Sequence, residues 1–329
     1  MDKLKIIYFF LSILFVLFIL NISIGSRERN IPKNGLSFAQ IDSVFLFHLN
    51  EYGINSKWVQ KKNGKKYSDS LKSYYKVKLP KDVNIPEFIN SFVLKFNPQK
   101  LKFKISELKI NGKTEILGFA DNKLKFKALV DYAKNLQRRK ITLSFLISDF
   151  ADLSNSDKSE LLSAPFPITL ILVPSKESAE FISEINRNKK AYSVLINDDL
   201  TESDFKLNDN LPKLLLKNSI KNIKKNFSAA KIYLVDKKSN LYNSATFSFI
   251  KNEFKRNKIT LNYFNQFILL FNKSIDEIIS ILKFHYESND LSVGRIFILT
   301  ANKFLKLKKK LGTFRKKGIK FVFPEQISN

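Results

Sequence analysis

The chain contains no cysteine, one methionine, one tryptophan and two histidines in 329 residues. Without cysteine there is no disulfide framework, no thiolate zinc site and no cysteine nucleophile. This absence says nothing about compartment, because oxidising and reducing environments both permit it. Two histidines, His48 and His285, leave no basis for a Ser-His-Asp triad. Glycine and proline are sparse, nine of each, and no Gly-rich phosphate loop follows the first strand-like run of the second half. That argues against dinucleotide and nucleoside triphosphate binding. Acidic residues are also in short supply, 30 Asp and Glu against 57 Lys and Arg, for a formal charge of +27. The excess reads either as lysine filling solvated positions or as selection for an anionic partner. No nucleic-acid-binding signature accompanies it, so nucleic acid is not expected as a partner.

Hydrophobic residues make up 44% and aromatic residues 13% of the chain, enough to bury a sizeable core in about two domains. The longest apolar run, Ile6 to Ile24, is interrupted only by uncharged residues. About 20 such residues span a bilayer core, so residues 1–25 read as an uncleaved N-terminal transmembrane anchor in preference to a signal peptide. Lys3 and Lys5 before the run nearly balance Arg27, Arg29 and Lys33 after it, so flanking charge does not set orientation. The economical expectation is a single-pass protein of the cell (inner) membrane with its body outside the cytoplasm. Residues 26–37 form a linker.

Residues 38–135 read as a small α+β domain of antiparallel strands with helices. Phe38 to Tyr52 carries apolar residues at helical spacing and stops at Gly53. Lys57 to Gln60 begins a strand, and Asn63-Gly64 marks a hairpin turn. Tyr74–Leu79, Lys100–Ile110, Ile116–Phe119 and Leu124–Val130 read as strands, and Ile85–Leu94 as a helix. His48 is expected on the apolar face of its helix, and Trp58 in a core or interface.

From residue 138 to 329 the texture becomes regular. Apolar runs at Ile141–Ile147, Ile168–Val173, Ala191–Ile196, Lys231–Val235, Ile259–Phe264, Arg295–Thr300 and Lys320–Phe323 alternate with helical patterns. The helices are expected over Ser156–Ser163, Glu177–Asn188, Pro212–Phe227, Ser244–Arg256, Ile275–Glu287 and Ala301–Lys316. Such alternation predicts a parallel sheet with right-handed crossovers, a closed or nearly closed (β/α) barrel of about seven strands. Ligands gather at the C-terminal ends of such strands. Asp149, directly after the first run, is therefore the foremost candidate catalytic residue. Asp152, Asp198, Asp199 and Asp236 also fall at strand ends, the last three as candidate ligand-binding residues. Oxygen ligands alone could hold a divalent cation such as Mg²⁺ or Ca²⁺, or hydrogen-bond a sugar. The competing account is that each Asp caps a helix or fills a turn. The lysines of the last helix and of Lys217–Lys225 read as solvated outer faces, with anionic lipid as the cheapest partner if they have one.

The order and spacing of several segments resemble the divergent polysaccharide deacetylase family of (β/α) carbohydrate esterases. They are Ile147-Ser148-Asp149-Phe150, then Leu161-Leu162 with Pro165 and Pro167-Ile168-Thr169-Leu170, and then Val173-Pro174-Ser175. Lys255-Arg256-Asn257-Lys258-Ile259 and the closing run Lys317 to Glu325 complete the set. The resemblance covers roughly Lys140 to Gln326. It implies metal-assisted deacetylation of an envelope polysaccharide, with that polysaccharide as partner. The family's first strand ends in paired Asp, where this chain has Ser148 and Asp149. The family's metal-binding histidines follow the third and fourth strands, where this chain reads Asn197-Asp198-Asp199 and Asp236-Lys237. A His-based zinc site is thereby excluded and no metal ligand is assigned. The expectation is a membrane-anchored member with weak or absent hydrolase activity; whether it is an enzyme stays open. The alternatives are a non-catalytic scaffold for envelope glycan or protein and, behind it, a basic nucleic-acid-binding membrane protein.

Overall fold

A computed structural model of the chain describes residues 36–65, 67–68, 70–108, 110, 113–138, 141–198, 200, 202–287 and 295–327. The apolar run Ile6–Ile24 lies outside the described residues. Among the described residues no helix is long and apolar enough to cross a membrane. The chain divides into two units. The first takes residues up to His48, Asn55–Leu79 and Val83–Lys134; the second takes Leu49–Ile54, Pro80–Asp82 and Asn135 onward.

Helix α1 (Phe38–Glu51) opens the described chain. Ile41, Phe45, His48 and Leu49 are its buried face, at the three- and four-residue spacing of an amphipathic helix. His48 is packed as expected, its Nε2 2.8 Å from the carbonyl oxygen of Phe88 and its ring 4.6 Å from that of Phe88. Gly53, with φ +62, supplies the left-handed residue that ends the helix.

Five strands form the sheet of the first unit: β1 (Val59–Asn63), β2 (Ser73–Leu79), β3 (Lys102–Glu107), β4 (Thr114–Ala120) and β5 (Lys123–Tyr132). Their order is β1-β2-β5-β4-β3. Two expectations need correction. The all-antiparallel sheet is mixed, because β2 and β5 run parallel; helix α2 (Ile85–Val93) and the β3–β4 hairpin carry the chain back between them. The β1–β2 hairpin closes with Asn63 opposite Ser73, so its loop is long and Asn63-Gly64 is only its start. Helix α2 is capped by the Asn84 side chain, which accepts from Glu87 N at 2.9 Å. Its Phe92 meets Phe45 and Phe126 at ring separations of 5.1 and 5.2 Å.

The second unit alternates as the sequence predicts. Its strands are β6 (Thr142–Ser148), β7 (Thr169–Leu172), β8 (Ala191–Ile196), β9 (Tyr233–Val235), β10 (Leu261–Tyr263), β11 (Ile268–Leu269), β12 (Arg295–Thr300) and β13 (Lys320–Phe321). The helices are α3 (Asn155–Leu162), α4 (Lys176–Arg187), α5 (Lys213–Asn226), α6 (Asn240–Asn243), α7 (Phe247–Arg256), α8 (Ile275–Glu287) and α9 (Ala301–Lys316). The expected helix over Ser244–Arg256 starts late, at Phe247, and a separate short helix, α6, precedes the span. Ser244 is extended (ψ 153) and breaks the run, and Ser239 caps the short α6 separately. The extra strand, β11, is only two residues long and carries no periodicity that a sequence reading could detect.

All pairings in this unit are parallel, in the order β10-β9-β8-β7-β6-β12-β11, with β13 on the start of β6. Edge strands β10 and β11 are consecutive in sequence, separated only by residues 264–267. Five peptide steps reach no more than about 17 Å, so the two edges of the sheet lie close together and the sheet curls. Outward residues Phe145, Ile147, Leu170, Leu172, Val194 and Val235 belong to the large core that includes helix residues Ile185, Ile220, Ile250, Phe304 and Leu307. Inward residues Leu146, Ile171, Leu234 and Ile298 form a separate core. The two sets alternate along each strand, as period-two side-chain geometry requires.

Candidate functional site

The strands of the second unit share one direction, so their C-terminal ends meet on one face, and there the sequence places its candidate residues. Strand β6 ends at Ser148, and Asp149 follows with φ 60. The left-handed conformation is one that the short, self-solvating Asp side chain tolerates. The turn sends Phe150 into the core, 1% exposed, and leaves Asp149 exposed. A cleft of about 260 Å³ opens here between the ends of β6 and β7, lined among others by Asp149, Asp152, Pro174, Glu177 and Glu202. Its floor is rigid: Ser175 caps α4 by accepting from Ser178 N at 2.9 Å, and Ser178 Oγ donates to the Val173 carbonyl. Both carboxylate oxygens of Glu202 accept from Lys176 N at 3.1 Å, where the helix N-terminus favours negative charge.

Four carboxylates thus border one cleft. Asp149 and Asp152 were visible from sequence because they end a strand. Glu177 is a first-turn acid of its helix, and Glu202 sits in a segment with no motif; only the parallel crossover brings it back beside β7. Among the described residues no group of three or more His, Asp or Glu is placed to hold a metal ion.

The other candidates are attached to the backbone. Asp198 accepts from Asn240 N at 2.6 Å through Oδ2 and from Leu241 N through Oδ1, which caps α6 from a neighbouring strand end. Asp236 Oδ1 accepts from Lys238 N at 2.9 Å, a local Asx turn. Asp199 lies outside the described residues. Asp198 and Asp236 therefore act here as caps and turn formers. Asp198→Ala is expected to lower stability by about 1–2 kcal/mol, the usual worth of a side-chain cap. Thermal melting measures the loss, and faster amide exchange at Asn240 and Leu241 locates it.

The interior of the curled sheet is apolar. Leu146, Leu234 and Ile298 are 0% exposed and Ile171 6%, and Leu195, Ile232, Phe264, Phe267, Phe271 and Ile296 pack against them. Phe264 and Phe267 come from the residues that bridge the two sheet edges, so the bridge itself fills the centre. The buried polar side chains of that face are hydroxyls: Ser144, Thr169 and Ser193, none with a protein partner among the described residues. A hydroxyl is neither a strong metal ligand nor a general base at neutral pH.

His285 is on α8, half-buried, its ring 5.6 Å from that of Phe297. Burial, followed by the nearby Arg295 charge, lowers its pKa, which favours the neutral, packed form. The lysines of α9 are not uniformly solvated. Lys303 donates to the carbonyls of Phe271 and Lys273, and Lys308 pairs with Glu160 at 2.8 Å.

No family model matches the chain, and no curated protein does. Solved structures are similar at low identity. One is a CE4 family pseudoenzyme from Bacillus anthracis, 9% identical, covering 66% of this chain and 84% of its own, with a TM-score of 0.39. Another is a family 4 carbohydrate esterase from Streptomyces lividans in complex with acetate, 10% identical, covering 56% and 92%, with a TM-score of 0.37. An uncharacterized protein from Agrobacterium tumefaciens is 11% identical over 58% and 89%, again with a TM-score of 0.37. At these identities and TM-scores the likeness carries no functional assignment.

Proposed function

We propose that this chain is a membrane-anchored, divergent deacetylase-like protein of the cell envelope that holds polysaccharide at the C-terminal face of its curled sheet with little or no hydrolysis. The observation that carries the reading is the filled interior. A deacetylating metal centre needs imidazole or carboxylate ligands and a bound water of lowered pKa. Here that space belongs to Leu146, Ile171, Leu234, Ile298 and three phenylalanines, while Asp198 and Asp236 are engaged by backbone N–H groups.

What remains accessible supports binding. The cleft beside Asp149 presents carboxylates to sugar hydroxyls, and ionised acceptors make the stronger class of hydrogen bond. Its walls are held by capped helix starts and so need little reordering on binding. The anchoring half of the reading is supported by the uncharged run Ile6–Ile24, long enough for a bilayer core.

The test is co-sedimentation of the full chain with insoluble acetylated envelope polysaccharide, with released acetate measured in parallel. The expected result is retention on the glycan with acetate at background, whichever divalent cation is added. Asp149→Asn keeps a residue that tolerates the left-handed turn and is expected to weaken retention about tenfold, one charge-assisted hydrogen bond. Acetate release that a chelator abolishes would restore the hydrolase reading. Absence of retention on any acetylated glycan would remove the glycan altogether.

A further inference from the structure

Helices of the second unit carry a sequence bias at their ends. Acid falls in the first turn of α3 (Asp157), α4 (Glu177) and α8 (Asp276, Glu277). Base falls in the last turn of α4 (Arg187), α5 (Lys224, Lys225), α7 (Lys255, Arg256) and α9 (Arg315, Lys316). Each end by itself only complements a helix dipole. A parallel sheet adds them, because every crossover helix starts at the C-terminal face of the sheet and finishes at the other. The unit is therefore unevenly charged: carboxylates border the cleft at one face, mixed with Lys176, Lys213 and Lys303, and cations outnumber acids at the opposite one.

Dipole complementarity does not explain all of the basic face. Lys231 precedes β9, and Lys258 holds a left-handed turn (φ 63) before β10. Together with Lys224 from α5 they line a cleft of about 390 Å³ whose other polar lining is Ser228, Asn257, Thr260 and Asn262, with no carboxylate. All three lysines are exposed. The acids of this face are Glu184, Glu253, Glu287 and Glu325. Glu253 pairs with Arg256 at 3.2 Å and Glu325 with Lys231 at 3.4 Å, so Lys224 and Lys258 keep their charge for an outside partner. Lys190 takes no part, since its ammonium donates to the carbonyls of Ala164 and Phe166.

We infer that this face, centred on Lys224, Lys231 and Lys258, docks on an anionic bilayer surface, with lipid phosphate headgroups entering the cleft. Charge complementarity and the apolar run in the same chain both point to lipid. Lysine meets phosphate as a point charge without demanding a fixed geometry, which suits a fluid array of headgroups. Docking by this face turns the acidic cleft away from the bilayer, toward the space where polysaccharide would lie. The inference deepens the membrane attachment proposed above, yet is separable from it: an inserted anchor could leave this face undocked.

The experiment reconstitutes the full chain with vesicles of phosphatidylcholine, alone or with about one-third phosphatidylglycerol. Flotation reports the anchor, and amide exchange at Ser228–Ile232 and Asn257–Thr260 reports docking. The expected result is slowed exchange only on the anionic vesicles, reversed by high salt. In K224Q/K231Q/K258Q that slowing should fall by at least about 25-fold, near fivefold for each of the unpaired Lys224 and Lys258 close to an anionic leaflet. Flotation on anionic vesicles alone would support docking while refuting the anchor. Equal exchange on both vesicles, slowing that persists in the triple variant, or flotation with neither vesicle would overturn the inference. So would slowing by inorganic polyphosphate in the absence of any effect of anionic lipid.

Discussion

Leu146→Asp is expected to leave the second unit unfolded at room temperature. Leu146 is 0% exposed and sits at the centre of the inward core with Ile171, Leu234 and Ile298. A carboxylate there meets no cation and no donor other than scattered hydroxyls. Losing the leucine costs about 2–5 kcal/mol, and burying an unpaired charge costs several more. Their sum is comparable to the whole net stability of a domain, about 5–15 kcal/mol. Urea denaturation followed by circular dichroism measures it, with Leu146→Met as a control expected to lose less than about 1.5 kcal/mol. The experiment bears on function as well as folding. If the Asp variant melts like the wild type, water reaches the centre of the sheet, and space for a metal-bound water exists after all.

Its neighbour gives the second large effect by a different route. Phe145 points to the other face, also 0% exposed, with its ring 5.9 Å from Phe297, 5.7 Å from Phe304 and 5.8 Å from Phe321. These rings come from β12, α9 and β13, so one side chain ties three late elements to the first strand. Phe145→Ala is expected to cost about 3–5 kcal/mol, including ring contacts worth about 0.5–1.5 kcal/mol each. The urea midpoint should fall with little change in slope, because the denatured state exposes nearly the same surface. A loss below about 1 kcal/mol would mean that the C-terminal helix does not cover β6 as described. The two variants differ by one position and test two separate cores.

That difference was half-legible in the sequence. The run Ile141–Ile147 is apolar on both faces, which signals a strand covered on both sides but does not say by what. The helix spans at Ile275–Glu287 and Ala301–Lys316 and the strands at Ala191–Ile196 and Arg295–Thr300 match the structure residue for residue. Long periodic segments with clear ends declare themselves locally. Strand β11 did not, since two residues define no period, and the parallel β2–β5 pairing did not, since it depends on partners some 50 residues apart. Phe264 read as the end of the strand Ile259–Phe264, and Phe267–Phe271 fell in no predicted element. In the fold these phenylalanines close the sheet and occupy its centre.

The site divides in the same way. Asp149 could be found because a polar residue that ends an apolar run is a local pattern. Whether Asp198 and Asp236 face a ligand or a backbone amide was undecidable from sequence, because Asp serves equally well as ligand and as cap. The donors that decided it for Asp198, Asn240 N and Leu241 N, lie more than forty residues away.

The sequence by itself determined the kinds of segment and their order, the absence of an imidazole metal site, and the bases in the last turns of α4, α5, α7 and α9. Those follow from residue type and short-range periodicity. Tertiary structure alone decided that the sheet curls, that its centre is filled by side chains from the bridging segment, that Glu202 joins Asp149 at one cleft, and that the basic helix ends share a face. Each of these is a question of which distant segments become neighbours. Hydrophobic burial rewards contact without direction; strand pairing and crossover handedness select which contacts form.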